Sequence, residues 1–175
     1  MWCIVLRELK RSFARFCRWP ASPGPVCALS LAFVAAGAAG AAPRFGDWEL
    51  GCEGQGPCVI AQSVMAGDRS WLATVMMQPE PAGARVQVVV PAGVHLASGL
   101  YLQQADAAPL AARWLACSPE TCRADLRLAA GDLDDWKKGR AAQIRYRARL
   151  DGPVVAFDLS LMGITAALDA AGERR

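Results

Sequence analysis

The sequence predicts an all-β fold: a two-sheet antiparallel sandwich with one or two short helical turns. Three observations carry this expectation. After about residue 42, apolar residues recur with a period near two, as in strands with one buried face. The alternating runs are short and divided by Gly, Pro, Asp and Ser, the rhythm of hairpins rather than of strand–helix units. Four cysteines in this stretch form two close pairs, each around a polar turn.

In chain order, DWELGCE (Asp47–Glu53) places Trp48, Leu50 and Cys52 on one face. CVIAQSVMA and SWLATVMMQ (Ser70–Gln78) follow, the latter ended by PEPAG. ARVQVVVP (Ala84–Pro91) closes on a proline, which cannot continue a ladder. GLYLQQA, PLAARWLAC, CRADLRLAA, AAQIRYRARL and VVAFDLSLMG supply five further candidates. Two segments break the pattern. AGDLDDWKKG (Ala130–Gly139) has an acidic start, a basic end and a closing glycine, which suits one or two helical turns. ITAALDAAG is alanine-rich and predicts a second short helix before the terminal residues.

The first 41 residues read differently. Arg7, Lys10, Arg11, Arg15 and Arg18 face a single acid, Glu8, and an uncharged run from Val26 to Ala42 follows. It contains the small-residue pattern Ala39-Gly40-Ala41. Basic region, apolar region and small-residue cleavage site are the layout of a secretory signal peptide. The run is short and rich in Ala and Gly for a membrane span, which needs about 20 predominantly apolar residues. The expectation is therefore a leader over 1–41 and a single domain over 42–175. Such a domain, about 134 residues long, can bury roughly two-thirds of its unfolded surface.

Removing the leader changes the charge argument. It takes 5 of the 19 Lys and Arg and 1 of the 16 Asp and Glu, leaving 14 basic against 15 acidic side chains, formally −1. The basic field that a nucleic-acid surface requires is lost, so no nucleic-acid partner is expected. The stripe Arg145, Arg147, Arg149 in RYRARL alternates at period two and reads as the solvent face of a strand.

The leader also takes Cys3, Cys17 and Cys27. It leaves Cys52, Cys58, Cys117 and Cys122, an even number in an oxidising compartment. Zinc sites favour tighter ligand spacing, and a dithiol redox centre favours C-x-x-C at a helix start. Structural disulfides fit better: each pair brackets a turn between strand-like runs, where facing Cβ atoms come within about 4.5–5.5 Å. Cys52–Cys58 and Cys117–Cys122 is the favoured pairing, although four cysteines admit three connectivities. No metal or cofactor is expected.

At these residues the chain resembles the invasion-associated locus B family of exported proteins from Gram-negative bacteria. FGDWELGCE, CVIAQSV, VVVPAGVHLASGLYLQ, CSPETCRADLRL and LSLMGITAALDA carry the resemblance, in that order, from Phe45 to about Ala170. Ile164 departs from it, standing where the family usually has phenylalanine. The resemblance implies an immunoglobulin-like sandwich, export to the periplasm and, in some members, a link to host-cell invasion. It brings no catalytic residues.

The residues themselves offer little chemistry. The single histidine, His95, lies in a glycine-flanked loop without an evident partner. Asp132, Asp134 and Asp135 suit a helix N-terminus better than glycosidase work. Trp136, beside Lys137 and Lys138, is the candidate exposed contact, with His95 a further one. The expected function is non-enzymatic surface recognition of envelope or host proteins, in the periplasm, at the outer membrane or after secretion. The alternative is a periplasmic ligand-binding module, its groove for glycans or small apolar molecules lined by Trp48, Trp71, Trp114 and Trp136.

Overall fold

The computed structural model describes residues 42–174, Glu53 and Gln55 apart; the leader expected over 1–41 lies outside the described residues. Ten strands appear: β1 (Arg44–Phe45), β2 (Trp48–Cys52), β3 (Cys58–Met65), β4 (Trp71–Glu80), β5 (Gly83–Pro91), β6 (Leu100–Gln104), β7 (Leu110–Cys117), β8 (Thr121–Ala129), β9 (Ala141–Arg147) and β10 (Val154–Ser160). Helix α1 (Ala130–Lys138) follows β8, and α2 (Ile164–Gly172) follows β10. All nine expected strands and both expected helices are present; the two-residue β1 is additional. β4 runs on through Pro79, which pairs with Ala84 beside the tight turn into β5.

The strands form one antiparallel ladder in the order β1-β2-β3-β4-β5-β8-β7-β6-β9-β10. The all-β antiparallel expectation holds. The immunoglobulin-like division into two separate sheets does not emerge, because β7 belongs to both halves. Leu110–Ala112 pair with β6, whereas Arg113–Cys117 pair with β8, across an irregularity at Leu115 that bends the strand.

The alternation read from the sequence is the inner face of this ladder. Ala84, Val86, Val88 and Val90 of β5 are buried, as are Cys122, Ala124, Leu126 and Leu128 of β8. Along α1, Leu133 and Trp136 stand three apart and bury one face, with the helix packed on β5 and β8. Along α2, Ile164, Ala167, Leu168 and Ala171 form a continuous buried stripe, covering the β1–β4 end.

The ladder curls into a half-barrel whose two ends meet. The Trp48 indole N–H donates to the Ser160 carbonyl at 3.1 Å. Gln62, 7% exposed and the one buried polar side chain among the described residues, does more. Its carboxamide accepts the Ser160 N–H at 3.0 Å and donates to the carbonyls of Asp47 (3.2 Å) and Ser160 (3.3 Å). One side chain thus stands in for the peptide group of a neighbouring strand. Beside it, Asp47 N–H donates to Met162 O at 3.2 Å. Gly46 and Gly163, with φ +59° and +89°, interlock there, since a Cβ on either would strike the other segment's backbone. Phe45-Gly46-Asp47-Trp48 and Leu161-Met162-Gly163-Ile164, far apart in sequence, are therefore two halves of one joint.

Candidate functional site

The four cysteines sit at paired positions in the ladder. Cys52 opposes Cys58 and Cys117 opposes Cys122, with Cα atoms 4.2 and 4.0 Å apart, and each pair is disulfide-bonded. The favoured pairing is the one present. Both bonds close hairpin ends, where antiparallel geometry has already brought the backbones together. Among the described residues, no group of three or more His, Cys, Asp and Glu side chains is placed to hold a metal. No helix among them is long and apolar enough to cross a membrane.

The expected contact residues do not converge. Trp136 is 2% exposed and is a core residue, which corrects its assignment as an exposed contact. Its i, i+3 spacing from Leu133 turns it inward. Lys138 is exposed and pairs with Asp135 at 3.2 Å. Lys137 lines a depression between α1 and α2 with Glu80, Asp134 and Glu173. His95 lies elsewhere, capping a 3-10 turn (Leu96–Ser98) and sharing a 2.8 Å hydrogen bond with Ser98 Oγ. The tryptophan groove is also not assembled. Trp48 is buried like Trp136, Trp71 bonds Thr74, and Trp114 donates to Leu96 O.

A different surface is assembled instead, on the outer face of β6, β9 and β10. Tyr101 lies across from Arg145, Arg145 across from Ala156, and Arg147 across from Val154. Alternation turns all five side chains away from the core. Together with Ser98, Pro109 and Tyr146, the residues Tyr101, Arg145, Arg147 and Val154 enclose a shallow cavity of about 310 Å³. That is near the lower end for ligand pockets and suits a single side chain of a partner. Leu96 and Leu150, both exposed, belong to the adjoining loops: His95 N–H donates to Arg147 O, and Arg147 reaches Gly152 O in the turn that holds Leu150. Of the seven large hydrophobic residues exposed among the described residues, Leu96, Tyr101, Leu150 and Val154 cluster here.

The guanidinium groups are held in place. Arg145 donates to Gln103 Oε1 at 2.8 Å, leaving most of its donors free to point outward. Burial pushes the Tyr146 phenol above its ordinary range, so it adds no negative charge beside the two arginines. The surface combines a tyrosine, two anchored arginines and exposed aliphatic groups, the composition of a protein-contact hot spot. Sequence reading found the arginine stripe. It missed Tyr101, Leu96 and Val154 because they come from three separate segments.

Residues 48–172 match the sequence profile of a family described as Invasion associated locus B (IalB) protein. The chain is 30% identical over 131 residues to the Invasion protein B homolog of Brucella abortus (strain 2308), covering 70% of this chain and 74% of the relative. The homologue from Brucella abortus biovar 1 (strain 9-941) matches to the same degree. The crystal structure of invasion associated protein b from Bartonella henselae superposes with a TM-score of 0.69 at 15% identity. The match covers 77% of this chain and 97% of that one, so the two are similar in fold.

Proposed function

Because the chain belongs to the invasion associated locus B family, we propose that it is an exported, non-enzymatic envelope protein that recognises protein partners at its surface. The observation that carries this reading is the Tyr101–Arg145–Arg147–Val154 cluster with exposed Leu96 and Leu150 beside it. Apolar groups gathered on one face, rimmed by held arginines, are costly in water and gain by being covered. Aromatic and arginine side chains at such a centre dominate binding energy, because each supplies a large contact area at low cost in ordering.

Export is supported by the two hairpin disulfides, which persist in an oxidising compartment such as the periplasm. The partners are envelope proteins or, as the names of the Brucella and Bartonella relatives suggest, proteins met during invasion of a host cell. The protein acts free in the periplasm, at the outer membrane or after release. Tyr101 and Arg145 are the residues that contact the partner.

The experiment is photocrosslinking in intact cells with a photoreactive residue at position 101. A control carries the same residue at Asp68, in the β3–β4 turn. The expected result is a discrete adduct from position 101 alone, lost on Arg145→Glu. Equal or absent capture at both positions refutes the reading.

A further inference from the structure

The ladder leaves a second surface open, at the joint where it curls onto itself. β10 pairs with β9 on one edge, and among the described residues no strand pairs with its other edge. Pairing between β2 and β3 ends at Glu49 and Ala61, so Gln62–Met65 of β3 are likewise uncovered on that side. These two edges face a groove of about 420 Å³ lined by Arg44, Asp47, Glu49, Gln62, Asp158 and Ser160, among others.

The hydrogen-bond pattern tells which backbone groups of β10 are free. Leu161 N–H bonds Arg140 O, continuing the β9 ladder, whereas both Ser160 backbone groups turn away from β9 to the Gln62 carboxamide. Antiparallel alternation therefore turns the N–H and C=O of Val154, Ala156 and Asp158 outward as well. Gln62 satisfies the first position of a missing strand, and the next three positions stand ready for one.

We propose that this edge accepts an extended segment of a partner protein, bearing lysine or arginine at alternate positions, by strand addition. Charge selects the occupant. The groove holds Asp47, Glu49 and Asp158 against Arg44 alone, and Arg44 is already paired with Glu49. Arg145 and Arg147 lie one strand further away, so about 10 Å separates them from an added strand, roughly a screening length. On the inner side, Val155 and Phe157 are only half-buried at this edge. Apolar residues alternating with the cations would cover them. A second copy of the chain fits less well: its own β10, VVAFDLS, brings another carboxylate and no cation. Val154 belongs to both surfaces, but this inference rests on the backbone edge of β10 and not on the side chains of the Tyr101 cluster.

The test is fluorescence anisotropy of the full chain with three eight-residue probes. One alternates valine and lysine, one alternates valine and glutamate, and one is the lysine probe with its alternate backbone nitrogens methylated. The lysine probe is expected to bind at least about tenfold more tightly than either of the others, with Asp158→Lys reversing the charge preference. Ala156→Pro removes only an outward N–H and is expected to weaken binding at least about tenfold without altering the melting temperature. If Ala156→Pro does not fold, Asp158→Lys decides. Equal binding of the methylated probe, no binding of any probe, or an unchanged preference in Asp158→Lys overturns the proposal. So does a concentration-dependent dimer abolished by Ala156→Pro in a chain that binds no probe. A chain that crosslinks a partner through position 101 yet binds no probe overturns this inference alone.

Discussion

Replacing Gln62 with leucine isolates what holds the curled ladder closed. Leucine keeps most of the side-chain volume but removes three hydrogen bonds. The losses are unequal. The Ser160 carbonyl keeps the Trp48 indole, whereas the Ser160 N–H loses its only named acceptor. The Ser160 N–H is only part-buried beside the groove, so orphaning it costs toward the lower end of about 1–3 kcal/mol, and the Asp47 carbonyl adds up to about 1 kcal/mol. The extra apolar burial of leucine returns less than about 1 kcal/mol, because the site borders the groove. The net expectation is a destabilisation of about 1–2 kcal/mol. With a urea slope of about 2 kcal/mol/M, this lowers the unfolding midpoint by about 0.5–1 M. Urea titration followed by tryptophan fluorescence, with disulfides intact, measures it. Gln62→Glu supplies the sign. Ionised glutamate can still accept from Ser160 but has no proton to donate to the two carbonyls, so folding raises its pKa above the unfolded value of about 4.3. Its stability is then greatest below that pH and is lost as pH rises through the folded pKa. A change below about 0.5 kcal/mol for leucine, or a glutamate variant more stable at pH 7 than at pH 4, refutes the clasp.

Gly163→Ala is expected to cost about 2 kcal/mol or more, since its Cβ meets the Phe45 carbonyl and its φ is left-handed; thermal unfolding monitored by circular dichroism checks this. Replacing either cysteine pair by serine is expected to cost about 2 kcal/mol, with nearly equal losses for sequence separations of six and five, measured by urea unfolding. Unequal costs would show that strain or local packing, not chain entropy, sets the contribution. Raising the pH is expected to destabilise the fold from about pH 10 upward, because burial raises the folded-state pKa of Tyr146 above 10.0. Tyr146→Phe should reduce that alkaline loss, and an unchanged profile would remove Tyr146 as its source.

Much of the fold was legible because its inner face writes itself into the sequence at period two. Val86, Val88 and Val90 could be placed from spacing alone, and both helices from their charged or alanine-rich composition. The cysteine pairing was legible for a related reason: short loops leave little freedom over which atoms face each other. What spacing could not show was which strand edges pair. A continuous ladder and two separate sheets use the same alternating strands, and the difference lies in β7 changing partners between Ala112 and Arg113. Trp136 was misplaced because Lys137 and Lys138 beside it have the composition of a solvated face, although Leu133 three residues earlier already marked the buried one. The Tyr101 surface was illegible because it joins residues of β6, β9 and β10 that only the ladder brings side by side.

The joint between the two ends of the ladder has a kinetic consequence. The contacts that close it link residues 98 and 112 positions apart, so they cannot form until the last strand is free to fold back. A chain made from its N-terminus therefore completes this closure only when nearly all of its length is available.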